Sequence, residues 1–146
     1  MIVSGPTTAG WREWLALPAL RIPALKAKVD TGARSTALHV DTLELFERDG
    51  APFVRFSLRP GAERPAIEAE APVVDVRPVT DSGGRTSRRP FIRTDVRLAG
   101  MTWPIEINLT SRTNLLFPML LGRTALAGRL CVDPAQSYLL GHPEAP

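Results

Sequence analysis

The stretch KAKVDTGARSTALHV, from Lys26 to Val40, decides how this chain is read. Its first four residues alternate, with Ala27 and Val29 on one face and Lys26 and Lys28 on the other. That is the period-two pattern of a half-buried strand. Asp30 follows Val29 at once, where the strand turns. Carboxylates are rarely buried unless something pairs with them. Asp30 is therefore either the cap of a turn or a carboxylate held in a cleft.

The triplet Asp30, Thr31, Gly32 suits one chemistry. Two aspartates about 3 Å apart cannot both ionise, so they share a proton. One then serves as general base on a water and the other as general acid toward the scissile amide. Gly32 lets the backbone turn tightly and approach a substrate. Thr31 is expected to lock the loop by a hydrogen bond beneath the carboxylate. Asp-Thr-Gly also occurs by chance in turns, so its context decides.

Outward from the triplet, prolines and glycines punctuate the chain every ten residues or so. Between them lie short alternating runs: KAKV, FVRFSL, FIRTDVRL, WPIEINL and CVDP. Many short strands with regular turn signals predict an all-β fold, a sandwich or barrel. In WPIEINL, Ile105, Ile107 and Leu109 face one way and Glu106 and Asn108 the other; Pro104 is expected at the first residue of that strand or on an edge. Phe53 and Phe56 break parity, which predicts a bulge or twist in FVRFSL.

ERDGAP carries the Asp-Gly hairpin signal, RPGAERP reads as a loop, and TDSGGRTSRRP reads as a polar hairpin tip. DSGG within it could also cradle a phosphate as a nest. TALHVDTLELF has mixed periodicity and reads either as helical or as a turn followed by a strand. GRTALAGRL predicts one or two helical turns ending near Gly128. Met101 and Met119 read as core, and the tail GHPEAP as frayed.

The chain has 146 residues, room for one domain with a real core, and residues 1–146 are read as a single domain. The net charge of +3 is mild and its basic residues are scattered among acids. Aromatics do not interleave with them, which argues against nucleic-acid binding. No apolar run is long enough to span a bilayer, and MIVSGPTTAG has no signal-peptide pattern, so a cytoplasmic protein with no membrane partner is expected. Cys131 is the sole cysteine, which rules out an intrachain disulfide and a cysteine zinc site. Between Leu130 and Val132 it is expected to be a buried strand thiol. Apart from Lys26 and Lys28, every basic residue is arginine. That is either genomic composition or recognition of carboxylates and phosphates by the planar fork.

Far downstream comes MLLGRTAL, Met119 to Leu126. An apolar pair, then Gly-Arg, then a short helix resembles the segment after the flap in retroviral-type aspartic proteases. The long stretches GWREWLALPALRIPALKAKVDTGARSTALHV and INLTSRTNLLFPMLLGRTALAGRLCVDPAQSYL are similar to a bacterial family long labelled ATP-dependent zinc proteases. That family is now regarded as retropepsin-like aspartic peptidases, often associated with ATP-grasp glutamate ligases. The resemblance runs from about Gly10 to Leu140 and implies a closed β-barrel of the acid-protease type, with a flap hairpin and one short helix.

With one Asp-Thr-Gly per chain, the resemblance also implies a C2 homodimer, with CVDPAQSYLL at or near the interface. It marks Asp30, Thr31 and Gly32 as catalytic, and Ala33, Arg34, His39, Ser82, Gly83, Arg89 and Arg112 as substrate-binding. Leu121, Gly122, Arg123 and Asp133 are structural or dimer-bracing, with Arg123 and Asp133 a candidate pair at the dimer interface. The chain departs from the family in ARST, where Ser35 and Thr36 stand in exchanged order.

The resulting expectation is an aspartic peptidase, without cofactor, cutting a peptide or glutamyl-type amide in an acidic substrate. Two alternatives stand beside it. One is a non-hydrolytic module binding an acidic peptide or an ATP-grasp ligase partner. The other is a metal-dependent peptidase using Asp30 and His39, with Asp41 as a further ligand; zinc takes three or four protein ligands, which weighs against it.

Overall fold

The structure is a computed structural model, and it describes residues 6–61, 63–111 and 116–143. In chain order the strands are β1 (Thr7–Gly10), β2 (Arg12–Leu17), β3 (Ile22–Asp30), β4 (Thr36–His39), β5 (Thr42–Arg48) and β6 (Ala51–Leu58). They continue as β7 (Ile67–Pro72), β8 (Asp75–Thr80), β9 (Thr86–Leu98), β10 (Met101–Thr110), β11 (Met119–Gly122) and β12 (Leu130–Asp133). A 3₁₀ turn covers Pro18–Leu20, and one short helix, α1, covers Arg123–Leu126. The chain is all-β, as the alternating runs predict.

The largest sheet has the order β10-β4-β11-β3-β2-β9-β8, and β9 also pairs with β10. The pairings thus pass from β10 through β4, β11, β3, β2 and β9 and return to β10. Consecutive strands make the antiparallel pairs β2–β3, β8–β9 and β9–β10, but the sequence order does not predict the others. Two of the neighbours, β3–β11 and β4–β10, are parallel and join residues far apart in the chain. Their inner faces supply the core: Leu15, Leu17, Ile22, Leu25, Leu38, Ile92, Ile107, Leu109 and Met119 are all buried. Met101 packs against this core from its margin.

A second sheet, β5-β6-β7, lays Val54, Phe56 and Leu58 against the same core. No bulge interrupts FVRFSL: the register runs unbroken from Thr42↔Ser57 to Arg48↔Ala51. Phe53 breaks parity because it belongs to the outer face, where it meets Phe46 at 5.8 Å. There Glu70 receives hydrogen bonds from Arg48 and Arg55, which hold its carboxyl below the usual range. The register shift lies instead in β2, between Leu15 and Leu17. Pro104 is not the first residue of β10, which begins at Met101, but it lies on an edge as the alternative has it: it pairs with Asp95 of β9, and the pairing with β4 starts only at Ile107.

Two hairpins turn on paired left-handed residues. Asp49 (φ 53°) and Gly50 (φ 78°) join β5 to β6, as the Asp-Gly signal predicts. Ala99 (φ 54°) and Gly100 (φ 75°) join β9 to β10 in the same way.

The third sheet pairs β1 with β12 in parallel. Leu130 turns inward there, so its neighbour Cys131 turns outward and is exposed, not buried as expected. The chain beyond β12 is tied down by Glu13, which is fully buried. Its Oε2 accepts from Gly10 N (2.7 Å) and Leu139 N (2.9 Å), and its Oε1 from Leu140 N (3.1 Å). A Cβ on Gly10 would stand 2.3 Å from the Gln136 carbonyl, so only glycine permits this approach. The first residues of the expected frayed tail are packed, with His142 4.4 Å from Trp14 between ring centroids. Residues 144–146 lie outside the described residues.

Candidate active site

Asp30 is the last residue of β3, and Gly122, the last of β11, stands beside it in register. Leu121 is likewise beside Val29, and both are buried. β11 lies between β3 and β4, so the loop 31–35 that joins those two strands crosses the end of β11. The crossing is hydrogen-bonded throughout. Gly122 N donates to Thr36 Oγ1 (3.0 Å), and Arg123 N donates to the Ala33 carbonyl (2.8 Å). Thr124 donates to the Arg34 carbonyl from both N (3.2 Å) and Oγ1 (2.8 Å). A Cβ on Gly122 would lie 2.4 Å from the Ser35 carbonyl oxygen. Glycine is needed there for the loop to rest directly on the strand end.

The Asp30 side chain is half-buried. Its Oδ1 accepts from Gly32 N at 2.9 Å, and Ala33 N donates to its carbonyl at 3.2 Å. Oδ2 has no hydrogen-bond partner among the described residues. Thr31 is exposed and makes no lock among the described residues; Thr36, buried six residues after Asp30, holds the loop instead.

The carboxylate opens into a cleft of about 1220 Å³. The cleft brings Asp30, Gly32, Ala33, Arg34, His39, Ser82, Gly83 and Arg89 together from four separate parts of the chain. Leu121, Gly122 and Arg123 are not in its lining but underlie the loop, and Arg123 acts there through its backbone. Asp133, on β12, caps its own turn by accepting from Ala135 N at 3.0 Å. Arg112 lies outside the described residues.

Sequence reasoning missed Trp11, Lys28, Asn108 and Phe117, which also line the cleft. Asn108 is the most informative. It is fully buried on the face expected to be polar and outward. Its Oδ1 accepts from Arg89 Nη1 (3.0 Å), and its Nδ2 donates to the Thr36 carbonyl (3.0 Å). Arg89 is itself buried and also donates from Nε to Ser87 Oγ (3.2 Å). A continuous path therefore runs Arg89–Asn108–Thr36–Gly122 beneath the loop that carries Asp30. Its signal in the sequence was faint: an amide in place of a charge at the polar parity of β10.

The hairpin of β8 and β9 roofs one side of the cleft. At its tip, Asp81 Oδ1 accepts from Gly83 N (2.9 Å) and Arg85 N (3.0 Å). Those N–H groups are the ones a phosphate nest would need, so DSGG is a self-capped turn. Around the cleft stand Lys28, Arg34, Arg85 and Arg89 against Asp30 and Asp81, a net basic rim. Asp30 and His39 share it, but no three His, Cys, Asp or Glu side chains converge on a metal position among the described residues.

Comparison with known proteins agrees with this geometry. Residues 8–143 match the family model described as retropepsin-like aspartic endopeptidase RimB. A protein of Shewanella pealeana named "Probable alpha-L-glutamate ligase" is 40% identical over 134 residues, 90% of this chain and 29% of that protein. One of the same name from Parasynechococcus marenigrum is 41% identical over the same shares. The chain thus spans about 29% of the length of these curated relatives. A crystal structure of a Legionella pneumophila protein of unknown function superposes with TM-score 0.75 and 29% identity, covering 92% of this chain and 98% of that one. With the family match running over nearly the whole chain, and Asp-Thr-Gly seated at the strand end that opens into the cleft, the chain belongs to the RimB-like family of retropepsin-like aspartic endopeptidases.

Proposed function

We propose that this chain is an aspartic endopeptidase that hydrolyses a peptide or glutamyl-type amide in an acidic substrate. Two copies form a closed-barrel homodimer, each giving one Asp30 to a shared dyad. One carboxylate takes a proton from the attacking water, and the other gives its proton to the departing amide nitrogen. The observation that carries this reading is Asp30 itself. It stands at the mouth of a large cleft, at the end of β3 before a loop clamped by β11, with one carboxylate oxygen unpartnered among the described residues. The exposed Thr31 beside it fits a loop completed by a second copy. The basic rim supports an acidic substrate, since guanidinium forks grip carboxylates bidentately. The relatives named glutamate ligases point the same way, because a ligase of that kind makes the type of bond this site would cut.

Those relatives also favour a second reading. The matched region is a part of each longer protein, so the same cleft could serve as a binding module that holds an acidic chain without cutting it.

The test is mass spectrometry of oligoglutamate peptides incubated with wild type and with Asp30→Asn, alongside sedimentation of both. New termini from wild type alone, with a dimer in solution, support the dyad. Tight binding without cleavage by wild type selects the module. A monomer at high micromolar concentration that still cuts would overturn the shared dyad.

A further inference from the structure

Beyond Arg34 the cleft does not end. A second groove of about 270 Å³ is lined by Arg34, Ser35, Arg77, Phe91, Arg93 and Glu106, among others. Arg34 and Ser35 belong to both grooves, so they form the sill between them. The floor is Phe91, with the Arg77 guanidinium stacked 4.5 Å above its ring centre. Arg77 donates to two carboxylates, Asp75 at 2.7 Å and Glu106 at 2.9 Å. Arg93 is different. It stands on β9 directly across from Glu106, yet its side chain makes no ion pair or hydrogen bond among the described residues. Among the described residues Arg34 likewise uses only its backbone, and its guanidinium meets no carboxylate there. The groove thus offers two unneutralised forks and one paired, stacked one, against Glu106 alone on its wall.

We propose that this groove is a second subsite for carboxylates, which holds acidic residues of the same chain that occupies the active cleft. It rests on the reading of the cleft as an acidic-peptide site and extends that reading. An extended acidic segment crossing the sill at Arg34 would present successive carboxylates to Arg34 and Arg93. Side chains two residues apart lie on the same side of such a segment at roughly 6–7 Å spacing. The consequence is a length requirement. Short acidic peptides fill the active cleft only, and longer ones gain from Arg93. Glu106 limits that gain, so removing its charge should strengthen the subsite.

The experiment measures binding by fluorescence anisotropy, with a short and a long oligoglutamate peptide on the Asp30→Asn protein. The readout is the ratio of the short-peptide to the long-peptide Kd, compared at matched glutamate concentration. The ratio should be well above one. Adding Arg93→Gln should lower it by roughly three- to tenfold, as expected for loss of a fork–carboxylate contact on a partly exposed surface. Adding Glu106→Gln should raise it. Arg59→Gln, an exposed arginine in neither groove, should leave it unchanged and so controls for net charge. A ratio near one, or one lowered equally by Arg93→Gln and Arg59→Gln, overturns the second subsite. Cleavage by wild type is scored separately: no cleavage with the ratio intact sinks the peptidase reading alone.

Discussion

Two carboxylates of this chain are placed in opposite ways. Glu13 is fully buried and accepts three backbone N–H groups, which tie β1 and the segment after β12 to β2. Asp30 is half-buried, accepts one N–H, and keeps an oxygen open at the mouth of a cleft. A carboxylate with its acceptor sites filled from within is part of the frame. One that the frame orients but does not satisfy is available for chemistry. The contrast also explains why the surroundings of Asp30 are so thoroughly braced: the order comes from Gly122, Thr36 and Asn108 beneath it.

The sharpest way to break the comparison is to neutralise each carboxylate in turn. Asp30→Asn should lower hydrolysis of an acidic peptide by at least roughly 10²–10⁴-fold, the usual range for a lost acid–base group. The thermal midpoint should stay close to that of wild type, since only the Gly32 contact is altered. Undiminished turnover in Asp30→Asn would remove Asp30 from the chemistry.

Glu13→Gln should do the reverse. An amide can face Gly10 N and Leu139 N with its oxygen only by turning its NH₂ toward Leu140 N, placing donor against donor. The expected loss is about 2–4 kcal/mol of unfolding free energy, read from denaturant midpoints, with earlier proteolysis after Gln136. Activity of the remaining folded protein should be little changed. A Glu13→Gln protein as stable as wild type would show that these bonds carry no net weight.

Gly122→Ala tests the frame beneath Asp30. Its methyl would meet the Ser35 carbonyl, so the loop must lift. Displacement of about 1 Å can cost on the order of 100-fold in rate, so kcat should fall far more than stability suggests. If kcat is unaffected, the loop's seating on β11 is not what positions Asp30.

The sequence made some of this legible and hid the rest for physical reasons. Period-two alternation located β3, β6, β9, β10 and β12, because each has one face on the core. Asp30 was visible because it breaks off such a run. The insertion of β11 between β3 and β4 was not, since a parallel pairing across some ninety residues leaves no local trace. Glu13 had a signal, sitting in parity with Leu15 and Leu17 in REWLAL, but two of its three donors, Leu139 N and Leu140 N, come from a segment at the far end of the chain. Arg89 was read as a substrate grip. It does line the cleft, yet two of its nitrogens are spent on Ser87 and Asn108, so part of its role is to hold the loop's support in place.

The smallest expected effect concerns the turn between β9 and β10. Asp49-Gly50 and Ala99-Gly100 make the same two-residue connection, with both residues at positive φ. In the first, aspartate tolerates the left-handed region because its short polar side chain can bond locally. In the second, alanine has no such compensation, and its Cβ crowds the following carbonyl. The left-handed conformation costs an ordinary residue about 1–2 kcal/mol, of which Asn recovers a part. Ala99→Asn should therefore raise the unfolding free energy by about 0.5 kcal/mol and leave the activity of Asp30 untouched. Ala99 is exposed, so no packing is lost in the exchange. Chemical denaturation of the two proteins side by side decides it. A destabilised Ala99→Asn variant would mean that the β9–β10 turn does not hold alanine in this conformation in solution. The long β9, which carries Arg89 and Arg93 to their two grooves, would then be registered by something other than its turn.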